Sequence, residues 1–339
     1  MTFRSEFPIL TGAPQLIVVA RTNLFVGALA FAITSPAAAQ EFTVPAWAFP
    51  NTAPALVAKP PYDSIVPLRV PKSTKTFTLA QVKNTFGPPD WYPTTHPPAP
   101  DVVAIGRRPA NWACGYCHLL DGQGRSENAT LAGLPADYFI QQVQDIRSGD
   151  RHSAMKGWGP SQNMTNVVKD LTDDEIAIAA RYFASLKAKQ RYAVVERTRV
   201  PRTDEAGGLY APKRDGSTEP LGARIIEVTT DLRRHEMRDA AETFVAYVPP
   251  GSIARGKKIA TATANPATSC TTCHGPALRG LAAAPPIAGR SPLYIVRQLV
   301  GFRTGARAGS TSELMQGVVA NMTIDDMIAA AAYAGSLKP

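Results

Sequence analysis

The sequence predicts a mainly α-helical fold, in which two tandem copies of one helical domain are joined by a linker that is irregular or forms a β-hairpin. Three observations predict this fold. A pentapeptide occurs twice, a longer repeat surrounds each occurrence, and each copy ends in a helix that opens with a capping box. The predicted boundaries are 98–190 for the first copy, 191–250 for the linker and 251–339 for the second copy.

The repeated pentapeptide is Cys114-Gly-Tyr-Cys117-His118 in the first copy and Cys270-Thr-Thr-Cys273-His274 in the second, and the two use every cysteine of the chain. C-x-x-C-H is the attachment signature of c-type haem. Its thiols bond to the vinyl groups of one porphyrin, and the adjacent histidine becomes an axial ligand of the iron. We therefore predict two covalently bound haem c groups, held by Cys114, Cys117 and His118 and by Cys270, Cys273 and His274.

Three other cysteine chemistries explain the pattern less well. A structural zinc site brings two cysteine pairs, or one cysteine pair and a separated histidine pair, to one metal, whereas here each pair has its own adjacent histidine. A thioredoxin-type redox pair needs no adjacent histidine and usually lies in a βαβ pattern. A disulfide framework suits an exported protein but leaves the two identically placed histidines unexplained.

The repeat extends well beyond the pentapeptides. Leu131-Ala-Gly133 matches Ile287-Ala-Gly289 at the 156-residue offset of His118 and His274. At this offset the following residues also match: Tyr138, Ile140, Gln142, Val143, Ile146, Arg147 and Gly149 with Tyr294, Val296, Gln298, Leu299, Phe302, Arg303 and Gly305. From Met164 onward the offset is 151, so the first copy carries a five-residue insertion between Gly149 and Met164.

Each copy reads as mostly helical. The segments 138–147 and 294–303 place apolar residues at helical spacing. Thr172 with Glu175, and Thr323 with Asp326, form the Thr-x-x-acid signal that opens the last helix of each copy. The residues expected to face inward on these last helices are Ile176, Ala179, Ala180 and Phe183 in the first, and Met327, Ala330, Ala331 and Ala334 in the second.

The remaining segments have different residue patterns. In the linker, residues 194–200 and 224–229 are β-branched and partly alternating, which predicts short strands in a clasp against the helical domains. Residues 40–97 form a Pro-rich extension with one predicted helix, Leu79 to Phe86. Three aromatic residues of the extension are expected to be packing residues: Trp47, Trp91 and Tyr92.

Residues 1–39 read as an export signal. Arg4 and Arg21 are basic, residues 24–33 are apolar, and residues 36–39 supply small side chains, so we expect cleavage after Ala39. An uncleaved anchor is the alternative, but the apolar run is shorter than the ~20 residues needed to span a bilayer. Export implies a periplasmic location, which suits c-type haem attachment.

The net charge of +9 falls to +8 without residues 1–39, which contain two arginines and one glutamate. A basic surface can steer docking onto an acidic redox partner, or associate with an anionic membrane surface. The charges are dispersed, without a run of five or six like charges, so nucleic acid is not an expected partner.

The second axial ligand decides what such irons can do, and iron held by His and Met is typical of electron-transfer proteins. Met164 and Met315 occupy equivalent positions, each eight residues before the capping threonine of the last helix, so we predict them as ligands. The alternatives are Met155 or His152 in the first copy and Met322 in the second. The histidines outside the motifs are expected to be solvated surface groups: His96, His152 and His235.

The motif histidines also need a partner for their second ring nitrogen, which fixes the ring and tunes the iron. In the second copy Pro285-Pro286 follows His274 at the right distance to supply a carbonyl, and Ala129-Thr130 stands at the equivalent place after His118. Because the first copy lacks the rigid proline pair, the two haems are expected to differ somewhat in potential.

The second copy resembles the class I cytochromes c of the c4/c553 type. The residues that carry the resemblance, besides the motif, are Arg255-Gly-Lys-Lys-Ile259, Pro285-Pro-Ile-Ala-Gly289, Tyr294-Ile-Val-Arg-Gln-Leu299, Phe302-Arg-Thr-Gly305, Met315 and the final helix from Thr323 to Leu337. The first copy matches with its insertion and without the proline pair. The resemblance covers about half of the chain and implies two tandem cytochrome c-like helical haem domains, His/Met ligation and electron carriage outside the cytoplasm.

We therefore expect a periplasmic dihaem electron carrier without catalytic residues of its own. Electrons would come from a quinone-linked complex or a periplasmic dehydrogenase and pass to an oxidase or another cytochrome, and the chain could be the cytochrome subunit of a dehydrogenase. The alternative is a dihaem enzyme such as a peroxidase, which needs one iron with an open or displaceable sixth position. Equivalent methionines in both copies favour the carrier.

Overall fold

The computed structural model describes Gly12 and residues 42–51, 65–262 and 268–339. The predicted export signal and its cleavage site lie outside these residues. The helices are α1 Leu79–Val82, α2 Asp101–Ala104, α3 Cys114–His118, α4 Ala136–Ser148, α5 Gly159–Val168, α6 Asp173–Ser185, α7 Leu232–Glu236, α8 Ser252–Ala260, α9 Cys270–His274, α10 Pro292–Arg303, α11 Glu313–Val319 and α12 Ile324–Ser336. Helices α2–α6 and α8–α12 form the two tandem helical domains.

Both predicted capping boxes are present at the start of the final helices. Thr172 Oγ1 accepts from the Glu175 amide at 3.1 Å, and the Glu175 carboxylate accepts in return from the Thr172 amide at 2.8 Å. Thr323 and Asp326 repeat this arrangement. All eight residues expected to face inward on α6 and α12 are buried. These two pairs of hydrogen bonds satisfy amide groups that would otherwise lack partners, so α6 and α12 begin at equivalent residues.

The second domain packs its first and last helices more closely than the first. A Cβ atom on Gly256 of α8 would lie 1.9 Å from the Ala329 carbonyl oxygen of α12, so only glycine allows this approach. In the first domain the equivalent of α8 is the single-turn helix α2, which follows Pro98 and Pro100.

The clasp, residues 191–250, is more ordered than the predicted irregular segment or short hairpin. Its main element is a five-stranded mixed sheet in the order β5-β11-β10-β8-β7, in which β8 pairs parallel to β10 and β11 pairs parallel to β5. The Gly207-Gly208 turn joins β7 and β8. The strands of the described residues are β1 Pro67–Leu68, β2 Phe77–Thr78, β3 Gly106–Arg107, β4 Asn111–Trp112, β5 Tyr192–Glu196, β6 Arg199–Pro201, β7 Thr203–Ala206, β8 Leu209–Pro212, β9 Thr218–Pro220, β10 Ile226–Thr229 and β11 Phe244–Val248.

The predicted extension helix, Leu79 to Phe86, is shorter than expected. Helix α1 ends at Val82, because the Asn84 side chain bonds both the amide and the carbonyl of Phe86 and so holds the chain in a turn. Trp91 is buried, and its Nε1 donates to the Met237 carbonyl of the clasp at 2.7 Å. The prediction of a packing role for Trp91 is confirmed.

Two hydrophobic cores lie in the helical domains, and they are built differently. The core of the first domain lies entirely within residues 99–188. The core of the second domain also includes buried residues of the extension, of the first domain's insertion and of the clasp, such as Phe49, Trp158 and Ile226 respectively. No helix among the described residues is long and apolar enough to cross a membrane.

Candidate functional site

The two motif helices present their cysteines in the same way. Cys114 and Cys117 lie one turn apart on α3, as Cys270 and Cys273 do on α9, so each pair occupies one helix face. Burial, with a smaller effect of the Cys117 thiol, raises the pKa of Cys114 to about 12. Burial also raises the pKa of Cys117 and of Cys270. A thiol redox pair needs a lowered pKa, so these environments disfavour the thioredoxin-type alternative.

Both motif histidines are buried and are oriented by a backbone carbonyl. His118 Nδ1 donates to the Ala129 carbonyl at 2.8 Å, and His274 Nδ1 donates to the Pro285 carbonyl at 2.7 Å. The predicted carbonyl partners are therefore confirmed in both copies. Burial lowers the pKa of His118 and of His274, which keeps the rings neutral. A neutral ring with its proton on Nδ1 has a lone pair on Nε2, the form that binds a metal.

The candidate methionines lie in separate cores. Met164 of α5 is half-buried and packs in the core of the first domain together with Cys114. Met315 of α11 is half-buried and packs in the core of the second domain together with Cys270. Met155 packs against the core of the second domain, away from the core that contains Cys114, and His152 is exposed.

A group of arginines joins the two domains and was not predicted from the sequence. Arg151 donates to Tyr294 Oη at 3.1 Å and to Gln298 Oε1 at 2.9 Å. Arg307 donates to Tyr138 Oη at 3.3 Å and to Gln142 Oε1. These pairs are equivalent at the 156-residue offset, so the interface has an internal pseudo-twofold arrangement. The sequence contained the signal, because Arg151 and Arg307 match at the same offset as the tyrosines and glutamines.

The arginines at this interface form no direct ion pair with a carboxylate among the described residues. Arg290, Arg297 and Arg307 are buried, and burial lowers the pKa of each. Within the described residues, no carboxylate oxygen lies within 4.0 Å of a side-chain nitrogen of these three arginines or of Arg151. A buried guanidinium group without a directly paired carboxylate is unfavourable, so the interface suits a further anionic group.

His235 was expected to be a solvated surface group, and this prediction is wrong. Its side chain is 1% exposed, and Nδ1 lies 2.8 Å from Glu242 Oε1 while Nε2 lies 3.7 Å from Glu127 Oε2. Burial and the Arg125 guanidinium oppose protonation, but these two carboxylates outweigh them and raise the pKa of His235. His96 is also half-buried, between Asp90 and Tyr182. Sequence reasoning failed here because the partners come from distant segments.

Two helical domains, each with a C-x-x-C-H helix and a carbonyl-oriented histidine, present two sites of the kind that attaches c-type haem. No family model matches the chain. The chain is 29% identical over 231 residues to the thiosulfate dehydrogenase electron acceptor of Stutzerimonas stutzeri, covering 67% of this chain and 80% of that protein.

The chain is also 28% identical over 225 residues to cytochrome c4 of Azotobacter vinelandii, covering 65% of this chain and 82% of that protein. The solved structure of reduced recombinant cytochrome c4 from Pseudomonas stutzeri aligns with a TM-score of 0.43 and 24% identity, over 66% of this chain and 93% of that one. The relatives' names confirm the resemblance to the dihaem cytochromes c4. The first of these relatives is, by its name, an electron acceptor.

Proposed function

We propose that the chain is a periplasmic carrier with two haem c groups, passing electrons from a dehydrogenase or quinone-linked donor to an oxidase or another cytochrome. The observation that carries this proposal is the pair of buried histidines, each with Nδ1 bound to a carbonyl and Nε2 available for iron. The name of one relative, an electron acceptor of thiosulfate dehydrogenase, supports a dehydrogenase as the class of donor.

The residues present fit the group. Cys114 and Cys117 would attach one porphyrin, with His118 and Met164 as axial ligands, and Cys270 and Cys273 would attach the other, with His274 and Met315. The group supplies reversible one-electron chemistry at iron, and a thioether ligand raises its potential. The packing of Met164 in the same core as Cys114, and of Met155 in the other core, supports Met164 as the ligand in the first domain.

The interface arginines would hold the carboxylate side chains of the porphyrins. Arg151 and Arg307 lie between the two domains with tyrosine hydroxyl groups beside them, so both could pair with a buried carboxylate. Removing one partner of a buried ion pair costs about 3–5 kcal/mol, because the other charge is left buried without a partner. Arg151→Leu and Arg307→Leu should therefore lower the stability of the haem-loaded protein, measured by denaturant unfolding.

The attachment and ligation can be tested directly on protein matured in a host that attaches c-type haem. Its mass should show two haems, and its optical spectrum should show low-spin haem that does not bind carbon monoxide. Met164→Ala and Met315→Ala should each remove part of the ferric Met–iron charge-transfer band. Each should also lower one potential, within the roughly 0.8 V range that axial ligands span.

Met155→Ala and Met322→Ala are the matched controls, and both should keep the band and both potentials. A chain that matures without a second haem, or a high-spin iron in the unsubstituted protein, would contradict the proposed function. Loss of the band in Met155→Ala, with Met164→Ala unaffected, would transfer the ligand assignment to the insertion.

A further inference from the structure

The surface around the cysteine motif is closed in the first domain and open in the second. We call residues 116–125 the first attachment edge and residues 272–281 the second. Cys273 is exposed and Leu281 is 56% exposed. Arg125, at the position equivalent to Leu281, is only 9% exposed. The backbone is nevertheless alike, because each residue forms an isolated antiparallel β-bridge with the residue three positions later, Asn128 or Ala284. The same backbone therefore carries two different surfaces.

Residues 232–242 of the clasp, here called the cover, close the first edge. The Arg238 guanidinium lies 3.4 Å above the centre of the Tyr116 ring and donates to the Tyr116 carbonyl. The Arg125 guanidinium donates to the His235 carbonyl at 3.3 Å. Cation–π and charge-assisted contacts of this kind hold the cover directly over the residue that precedes Cys117.

Buried charges and the extension fix the cover in place. His235 is held between Glu242 and Glu127, and Arg125 pairs with Glu127 at 3.3 Å. On the opposite side, Met237 packs in a small core with Trp91 of the extension. Opening the cover would leave these buried charges without partners, which is strongly unfavourable. The cover therefore shields the first edge from large partners.

The second edge exposes an apolar side chain, Leu281, with the basic residues Arg279 and Lys338 near it. Leu281 lies close to Gly275, the residue that follows the motif helix. A Cβ atom built on Gly275 would lie 3.8 Å from the Leu281 Cβ. Arg279 is exposed, and its Nε donates to the carbonyl of Lys338, the next basic residue on this surface. The net charge of the second domain is also more positive than that of the first. Without the interface arginines described above, residues 251–339 contain six basic and three acidic residues, whereas residues 98–190 contain nine basic and ten acidic residues.

We propose that the second attachment edge, centred on Cys273 and Leu281, is the docking surface for the external redox partner, and that the partner presents an apolar patch ringed by carboxylates. This proposal rests on the proposed function and specifies where its electrons are exchanged. One electron passes between the docked partner and the second domain, with no bond formed or broken and no proton moved. The first domain then exchanges electrons only through the second. Electrostatic attraction to an acidic face would raise the rate of association.

The test uses the mature two-haem protein, reduced and then mixed with ferricyanide, an anionic one-electron oxidant that becomes ferrocyanide. The expected trace has a fast and a slow phase. Arg279→Glu should slow the fast phase roughly tenfold at low salt. Added salt should reduce this effect, because exposed charges are screened. Arg181→Glu, an exposed arginine on α6 of the first domain, is the charge-matched control and should leave the fast phase unchanged.

Two further measurements separate docking from reaction rate. Poly-L-glutamate, a probe of acidic surfaces, should bind the unsubstituted protein by titration calorimetry and bind Arg279→Glu and Leu281→Glu more weakly. Arg238→Ala should accelerate the slow phase by removing the side chain that lies over Tyr116, provided the Soret spectrum shows that the variant has matured. Equal oxidation rates for both haems, or equal effects of Arg279→Glu and Arg181→Glu, would overturn the docking proposal.

The two proposals fail in different ways. Protein that carries fewer than two haems by mass removes the proposed function itself. Protein with two low-spin haems and equal access to both leaves the carrier intact and refutes only the assignment of the docking surface to the second edge.

Discussion

The two domains share one sequence repeat but differ in how much of their core they supply themselves. The first domain fills its core with its own large side chains, such as Phe139 and Phe183, whose ring centres lie 5.8 Å apart. The second places Ala334 where the first has Phe183, and its core includes residues of the clasp and the extension. A repeat therefore fixes the path of the backbone, while the side chains decide whether a copy is self-contained or completed by neighbouring segments.

The motif helices end differently as well. The residue after the motif histidine has a positive φ in both copies, and it is Gly275 in the second but Leu119 in the first, at φ 61°. A non-glycine residue in this region typically costs about 1–3 kcal/mol. Leu119 is buried, so packing of its side chain offsets part of the strain. The copy with the shielded edge is also the copy that tolerates strain beside its histidine.

The largest expected effect tests whether the first domain is self-contained. Phe183→Ala should destabilise the protein by about 4 kcal/mol, because it removes a large, fully buried side chain from a core with no other source of filling. Hydrogen exchange should accelerate in α4 and α6 and stay unchanged in α10 and α12. Equal acceleration in both domains would show that the cores are not separate.

The second prediction tests whether the second domain depends on the clasp. Ile226 of β10 is fully buried in the core that contains Leu293 and Val296 of α10. Ile226→Ala should destabilise the protein by about 3–4 kcal/mol and accelerate exchange in α10, although the residue lies outside both repeats. The control is Ile178→Ala, on the exposed face of α6, which should change stability by less than about 0.5 kcal/mol. Unchanged exchange in α10 would refute a shared core.

The third prediction concerns the polar contact between the clasp and α10. Glu227 accepts from Ser291 Oγ at 2.7 Å and is buried, and burial raises its pKa to about 7, against opposing effects of Ser291 and Arg297. Between the ordinary value of 4.5 and 7 the folded protein keeps a proton that the unfolded chain releases. Stability should therefore fall as pH rises through this window, by about 3 kcal/mol in all.

Glu227→Gln should flatten this pH dependence, measured by chemical unfolding at several pH values. Glu313→Gln, at an exposed position of α11, is the control and should keep the slope. A slope that persists in Glu227→Gln would assign the effect to another group.

The smallest expected effects concern the start of the final helices, where the two domains are alike. Thr172→Ala and Thr323→Ala each remove a capping hydrogen bond of 3.1 Å, and each should cost about 1 kcal/mol. Exchange at the first turns of α6 and α12 should increase to a similar extent. A much larger effect at one site would mean that the two final helices are not equivalent.

The sequence predicted the local structure well, because local signals carry it. Helix starts at Thr172 and Thr323, the motif helices and the carbonyl partners of His118 and His274 all depend on residues close in the chain. The clasp was predicted only as an irregular segment or a short hairpin, because its parallel pairs join strands that are distant in sequence. The burial of His235 was missed for the same reason, since Glu127 and Glu242 come from two different segments.

By itself, the sequence determined the two attachment motifs, the duplication, the helical class and the equivalence of Met164 with Met315, because spacing along one chain is sufficient for each. Only the tertiary structure decided which attachment edge is covered and which core is shared. It also decided that Arg151 and Arg307 meet across the interface. These features depend on contacts between segments far apart in the chain, where burial and charge pairing are fixed only once the chain is packed.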